Sequence, residues 1–266
     1  MSGMESGSGT RVAFPPNWPG RMALLIVSLY VIYASSILDL TWSRFVAGIE
    51  HGSRFLARMF PPNLAEDKLG LLYTGMMESL QIAVLATVIG VALSLPLGLL
   101  AARNLAPLPV AWAVRALVAL LRTFHPLIVA ILFVKAVGFG ALAGVLALIV
   151  ASLGFLSKLV AEAAEEMSMH QLEAVRATGA PFGSLIIMGV LPQVIARFIG
   201  FSAYQLDSNL RNSALVGLVG GGGIGATLFT AFQRFDYDFV LTIVLAIIAV
   251  VMTGELLSGW MRRLFR

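Results

Sequence analysis

The chain has no cysteine among its 266 residues, which removes disulfides, thiolate metal sites and cysteine nucleophiles. It is also poor in charge. Only 12% of its residues are Asp, Glu, Lys or Arg, against the ~25% usual in a soluble domain, too few to clothe a water-soluble particle. Its three histidines, His51, His125 and His170, lie on separate segments and form no H-x-x-x-H pair, so metal catalysis has no ligand set. No G-x-x-x-x-G-K-[ST] sequence occurs, and no Ser, His and Asp constellation is visible. The expectation is a polypeptide that is not itself an enzyme and needs no cofactor or metal. The net charge of +4 comes from Lys and Arg scattered between apolar runs. That pattern fits headgroup anchoring and the positive-inside rule rather than a nucleic-acid patch.

What the sequence has in abundance is apolar length. Hydrophobic residues make up 59% of the chain, and the mean hydropathy is +0.91. Uncharged or nearly uncharged runs cover Met22–Leu38, Ser79–Ala102, Trp112–Val137 (interrupted by Arg115, Arg122, Pro126 and Lys135), Ala136–Ser157, Leu185–Leu206 and Phe239–Gly254, the last extending to about Trp260. At 1.5 Å per residue the longer runs cross a ~30 Å hydrocarbon layer. The fold class is therefore an all-α integral membrane protein with about six transmembrane helices. The first run is longer than the ~7–15 apolar residues of a signal peptide, and Ala34-Ser35-Ser36 is a poor cleavage site, so it is read as a span.

Six spans put both termini on one side. Arg11, Arg21, Arg103, Lys158, Arg176 and the Arg262, Arg263 and Arg266 cluster then face the cytoplasm, with Arg44, Arg54, Arg58 and Lys68 outside. Asn212–Gln233 is also uncharged and leaves room for a short or re-entrant segment. Residues 1–21, rich in Gly, Ser and Pro, read as a flexible cytoplasmic tail. Residues 22–72 read as the first span plus an outer loop, and residues 73–266 as the core. In the outer loop, Trp42, Phe45, Ile49, Leu56 and Met59 or Phe60 recur at helical spacing between Arg44, Arg54 and Arg58. This is the pattern of an amphipathic helix lying on membrane lipid. Packing beneath a docked extracytoplasmic partner is the alternative.

Between the fourth and fifth runs lies a polar stretch with helix signals at both ends. Ser168-Met169-His170-Gln171 has the S-x-x-Q form of a capping box, Gly179 suits a left-handed C-terminal cap, and Pro181 blocks continuation. The spacing predicts a helix over Met169–Thr178, with Leu172, Val175 and Gly179 on one small apolar face. Such a rod fits a partner's groove; its plainer reading is a surface connector.

Glu173-Ala174-Val175-Arg176-Ala177-Thr178-Gly179, followed by Leu191-Pro192, resembles the E-A-A-x-x-x-G-x(9)-I-x-L-P signature of ABC importer permeases. Val175 replaces the second Ala, and Gly189 stands where Ile is usual. Glu162-Ala163-Ala164 is a decoy, with Ser168 where Gly is needed. The resemblance implies that the last five spans form an importer core whose cytoplasmic coupling helix sits in a cleft of an ATP-binding subunit. Glu173, Ala174, Arg176, Gly179, Leu191 and Pro192 are then the coupling residues, with Pro192 loosening the start of the fifth span. It further implies two ATP-binding subunits, a second permease copy or a related permease, and an extracytoplasmic substrate-binding protein.

A narrower resemblance is to phosphonate-type permeases of the bacterial inner membrane. Its marks are Leu121-Arg122-Thr123-Phe124-His125-Pro126, Val190-Leu191-Pro192-Gln193-Val194, the run Leu215–Gly225, and Phe235-Asp236-Tyr237. It implies a pathway for phosphonate or a related phosphorus oxyanion. Methionine importers share part of the pattern, so a permease for another solute such as an amino acid is the alternative, with an ion-driven secondary transporter as the rival outside the class.

Gly220, Gly222 and Gly225 spell G-x-G-x-x-G, yet an apolar span precedes them where a nucleotide fingerprint requires a strand. A flexible non-helical segment beside the pathway is the better reading, with Gly220 and Gly222 as candidates. Asn209, Arg211 and Ser213 offer a cation flanked by amide and hydroxyl groups, suited to an oxyanion. Pairing of Arg211 with Asp207 is the equal alternative. Arg122 is read as snorkelling to the cytoplasmic surface and His125 as a satisfied residue at a kink.

Overall fold

A computed structural model describes residues 18–38 and 41–264. Every regular element among them is a helix. The chain divides into two compact units, residues 1–57 and 58–266.

The first unit holds α1 (Trp18–Ile37) and most of α2 (Trp42–Met59). Helix α1 is apolar enough to cross a membrane and buries none of its own residues. It begins at Trp18, so residues 18–21 are helical rather than tail; the rest of the expected tail lies outside the described residues. Helix α2 is the expected amphipathic element. Trp42 and Phe45 stack on one side with ring centroids 5.4 Å apart, and Arg54 pairs with Glu50 one turn before it.

The second unit is built on α3 (Glu66–Ala101), which begins well before the expected Ser79 and takes in residues 66–72, assigned from sequence to the outer segment. Hydrophobic attraction does not distinguish one apolar helix from another in lipid, so close packing of small residues must bring helices together. Helix α3 carries such a stripe: Ser79, Ala83, Gly90, Ser94, Gly98 and Ala101 are all buried. Much of it faces α6 (Ala141–Glu165). A methyl group on Gly90 would lie 2.5 Å from Ser152 Cβ, and one on Gly98 2.5 Å from Val160 Cβ.

The expected third span is two helices, α4 (Leu108–Thr123) and α5 (Pro126–Val137), bent by 90°. The cause is local. The ring of Pro126 forces its predecessor out of the helical region. Accordingly Phe124 (ψ 127°) and His125 (ψ 139°) are extended. His125 then caps α5, its Nδ1 accepting from the Leu127 N–H at 3.3 Å. The kink role expected of His125 is thus met.

After α6 come the short helix α7 (Met169–Ala177), α8 (Phe182–Leu185), a π-helical turn over Ile186–Val190, and α9 (Leu191–Leu218). Together α8, the π turn and α9 make one apolar span, Phe182–Leu218. Pro192 lacks the N–H that an α-helix would use, and the wide turn just before it accommodates that loss. Helix α10 (Ile224–Gln233) is about 15 Å long and cannot cross a ~30 Å layer by itself. Helix α11 (Tyr237–Leu264) completes the chain. Among the described residues five helical segments are long and apolar enough to span, or six if the bent pair α4–α5 is one span, in line with the expected count.

Two apolar clusters lie toward opposite ends of the bundle. One joins Val160, Leu172, Leu185, Val190, Val194 and Phe198; the other joins Ile82, Ala86, Val129, Leu148 and Val216. At the α7 end, Glu165 gathers the chain: it accepts from the Arg103 N–H at 2.8 Å and from Arg115, whose Nε donates to Ala101 O at 2.8 Å. At the other end, Asn63 donates to Asp238 Oδ2 at 2.6 Å, and Thr242 donates back to Asn63 O at 2.9 Å.

Candidate functional site

Helix α7 falls within one residue of its expected end, but its first turn is held differently. Ser168 adopts the extended N-cap backbone, yet its hydroxyl makes no capping bond, so the S-x-x-Q box does not form. The amide of Gln193, from the first turn of α9, takes its place. Its Oε1 accepts from the Ser168 N–H at 3.0 Å, and its Nε2 donates to Ser168 O at 3.4 Å and to Gly189 O at 2.8 Å. A distant amide that serves both backbone groups of Ser168 displaces the local box. The other end matches expectation: Gly179 has φ +74° and Pro181 starts the next element.

The underside of α7 is anchored. Leu172 is fully buried among Leu185, Val190 and Val194. Gly189 explains its departure from the usual Ile, because even a methyl there would lie 3.2 Å from Leu172 Cδ1 and 3.8 Å from Val175 Cγ2. A branched side chain would lift α7 off the bundle.

The opposite face is open. Glu173, Ala174 and Arg176 are exposed, as is Gly179. Among the described residues the side chains of Glu173 and Arg176 have no hydrogen-bond or ion-pair partner. Leu191 is half-buried and Pro192 exposed at the root of α9. The structure thus brings the signature residues to one end of the unit, with the polar ones turned outward.

The residues singled out near the end of α9 have separate surroundings. Asn209 is fully buried, donating to Thr87 Oγ1 at 2.9 Å and Ser152 Oγ at 3.1 Å and accepting from Gln205 Nε2 at 3.0 Å. Gln205 Nε2 also reaches Ser152 Oγ at 2.9 Å. Ser213 is buried and donates to Leu210 O at 2.9 Å. Arg211 pairs with Asp207 at 2.8 Å, and of the two only the Arg side chain reaches the surface, 42% exposed against 9%. The other carboxylate oxygen of Asp207 is buried and unpartnered among the described residues. These charges sit inside a helix, which is why α9 outruns the expected end at Leu206: an i, i+4 pair within the helix compensates them.

The glycine run is non-helical only between Leu218 and Ile224, and it is closely packed. Gly220 and Gly222 have φ +99° and +79°. A methyl on Gly220 would overlap the Phe139 ring, and one on Gly222 would lie 2.7 Å from Ala141 N and Glu78 Oε1. The Gly140 N–H donates to Gly220 O at 2.9 Å, and the Ile224 N–H to Ser79 Oγ at 2.8 Å. A helix, not a strand, precedes the run.

Sequence reasoning missed Gln193 as a clamp and the Thr87–Ser152–Gln205 cluster around Asn209. Polar side chains inside otherwise apolar runs were the available signal for the cluster. Gln193 bonds a residue 25 positions away, so no local pattern reveals it.

Comparison with known proteins agrees with this geometry. The chain is 44% identical over 207 residues to the phosphate-import permease protein PhnE of Mycolicibacterium smegmatis, an alignment covering 77% of this chain and 38% of that relative. It is 35% identical over 249 residues to the phosphite transport system permease protein PtxC of Stutzerimonas stutzeri, covering 93% and 89%. Among solved structures, a chain of the MetNI methionine ABC transporter superposes with a TM-score of 0.67 at 22% identity, over 76% of this chain and all of that one. That likeness gives the fold. Residues 94–266, which contain the buried polar cluster on α6 and α9, the anchored α7 and the glycine turn, match one family model, and the chain belongs to that family, the binding-protein-dependent transport system inner membrane components.

Proposed function

We propose that the chain is the membrane-spanning permease of an ATP-driven importer for phosphonate or a related phosphorus oxyanion. It works as a dimer, with itself or a related permease. Two cytoplasmic ATP-binding subunits supply the hydrolysis, and an extracytoplasmic binding protein supplies the solute. The observation that carries this reading is α7: rooted through Leu172 and Gln193, it presents Glu173, Ala174 and Arg176 exposed, their side chains without a polar partner among the described residues. Polar groups held out on a fixed base suit a docking surface, because little side-chain or backbone order is lost on binding. The choice of solute is supported by relatives named for phosphate and phosphite. Arg211 is the pathway contact, since its guanidinium is half exposed. Asn209, Ser213, Gly220 and Gly222 shape the wall behind it.

Reconstituted vesicles test the whole reading. The chain with its ATPase and binding protein should take up labelled phosphonate or phosphite only with ATP, and the chain alone should move neither. Uptake by the chain alone would overturn the proposal.

A further inference from the structure

Helix α4 turns its charge inward, as a helix that faces lipid must. Ala111, Arg115, Val118 and Arg122 share one face, and Ala111 and Val118 on it are buried. Val110, Trp112, Leu117 and Leu120 lie on the other faces, and all are exposed. The apolar side is turned out and the two arginines are turned toward α6. Between the helices lies a cavity of about 180 Å³, lined by Arg115, Val118 and Arg122 of α4, Lys158 and Glu162 of α6, and Ala101 at the end of α3. It is far larger than the ~15 Å³ one water requires, and three of its lining groups are cations.

Two of the cations are compensated. Arg115 pairs with Glu165, and Lys158 lies 3.3 Å from Glu162. Arg122 has no hydrogen-bond or carboxylate partner among the described residues. Arg122 is exposed, and its stem is packed against protein as in the snorkelling expectation. It lies along α6 at Gly154, where even a methyl group would stand 2.9 Å from Arg122 Cγ. The cavity is lined by three cations, Arg115, Arg122 and Lys158, and Arg122 brings no carboxylate of its own, which leaves a net positive charge there.

We propose that this cavity binds a phosphate-type oxyanion, with Arg122 providing a planar two-pronged contact and Lys158 a point charge. A tetrahedral oxyanion fits these donors because guanidinium pairs with two of its oxygens at once. The anion comes either from a phospholipid headgroup of the neighbouring leaflet or from free phosphate; basic clefts between spans are suited to headgroups. The inference stands on cavity, charge and packing, and holds whether or not the chain carries phosphorus solutes.

Residue-resolved modification by phenylglyoxal, read by mass spectrometry, tests it in the intact transporter reconstituted in phosphatidylcholine bilayers. The rate at Arg122 is compared with that at Arg197, which is paired with Glu166 on another helix. Adding inorganic phosphate, or replacing part of the lipid with phosphatidylglycerol, should slow Arg122 by about tenfold, the occupancy effect of one charge-assisted pair, and leave Arg197 unchanged. Protection by phosphate alone identifies a free anion, and protection by phosphatidylglycerol alone a headgroup. Lys158→Gln should abolish the protection and Lys158→Arg restore it. No protection by either probe, equal protection of Arg197, or protection that survives Lys158→Gln overturns the proposal.

Discussion

In the middle of the bundle Thr87, Ser152, Gln205 and Asn209 hydrogen-bond one another across α3, α6 and α9, whereas on α7 the side chains of Glu173 and Arg176 bond to nothing among the described residues. The first set is buried, where an unmatched polar group is costly, so each must find a partner within the chain. The second is exposed, where water satisfies it until something better docks. Polar residues in an apolar chain therefore serve two ends. Those turned inward fix how helices sit together, and those turned outward on an anchored helix remain open to another molecule.

Substitutions that separate stability from docking would sharpen the contrast. Gly90→Leu should have the largest effect, forcing a branched side chain into Ser152. Overpacking typically costs ~1–3 kcal/mol and more where backbone must move, so the folded fraction and melting temperature in detergent should collapse. A variant that melts like the parent would show that α3 and α6 are not tightly packed there. Glu173→Lys should come next, and on the other side of the comparison. Capture of the ATP-binding subunit should weaken by at least about tenfold, ~1.4 kcal/mol, with the melting temperature of the isolated chain unchanged. Equal loss of both would make Glu173 a structural residue. Gln193→Leu should have the smallest effect overall, a stability loss of ~0.5–1.5 kcal/mol for the lost hydrogen bonds. Its signature is functional: ATP hydrolysis continues while uptake per ATP falls. Unchanged coupling would mean that the Ser168 clamp does not position α7.

Much of this architecture is legible in the amino-acid order. Apolar length alone gives the spans, since a membrane leaves few alternatives to a helix. Gly179 and Pro181 mark the end of α7 because its C-terminal cap is a local matter of backbone conformation. The failures share a cause. The α4–α5 bend follows from Pro126 acting on His125, but the apolar run continues through it and hides the break. The extension of α9 past Asp207 and Arg211 depends on two charges compensating each other, which composition counts as two penalties. Asn209 looked like an anion donor because it lies two residues from Arg211, yet two residues along a helix, roughly 200°, turn it to the opposite surroundings. The Gln193 clamp depends on two segments meeting in space, and residue order alone does not show which segments meet.

The tie between Ser168 and Gln193 leaves little slack in the loop that joins α7 to α9. Because the same amide also grips Gly189 O inside the π turn, a push on α7 reaches the long helix where its winding is already loosened. If α7 is driven by a docked partner, as proposed above, this tie would pass its motion along the unbroken α9 toward Arg211 and the glycine turn.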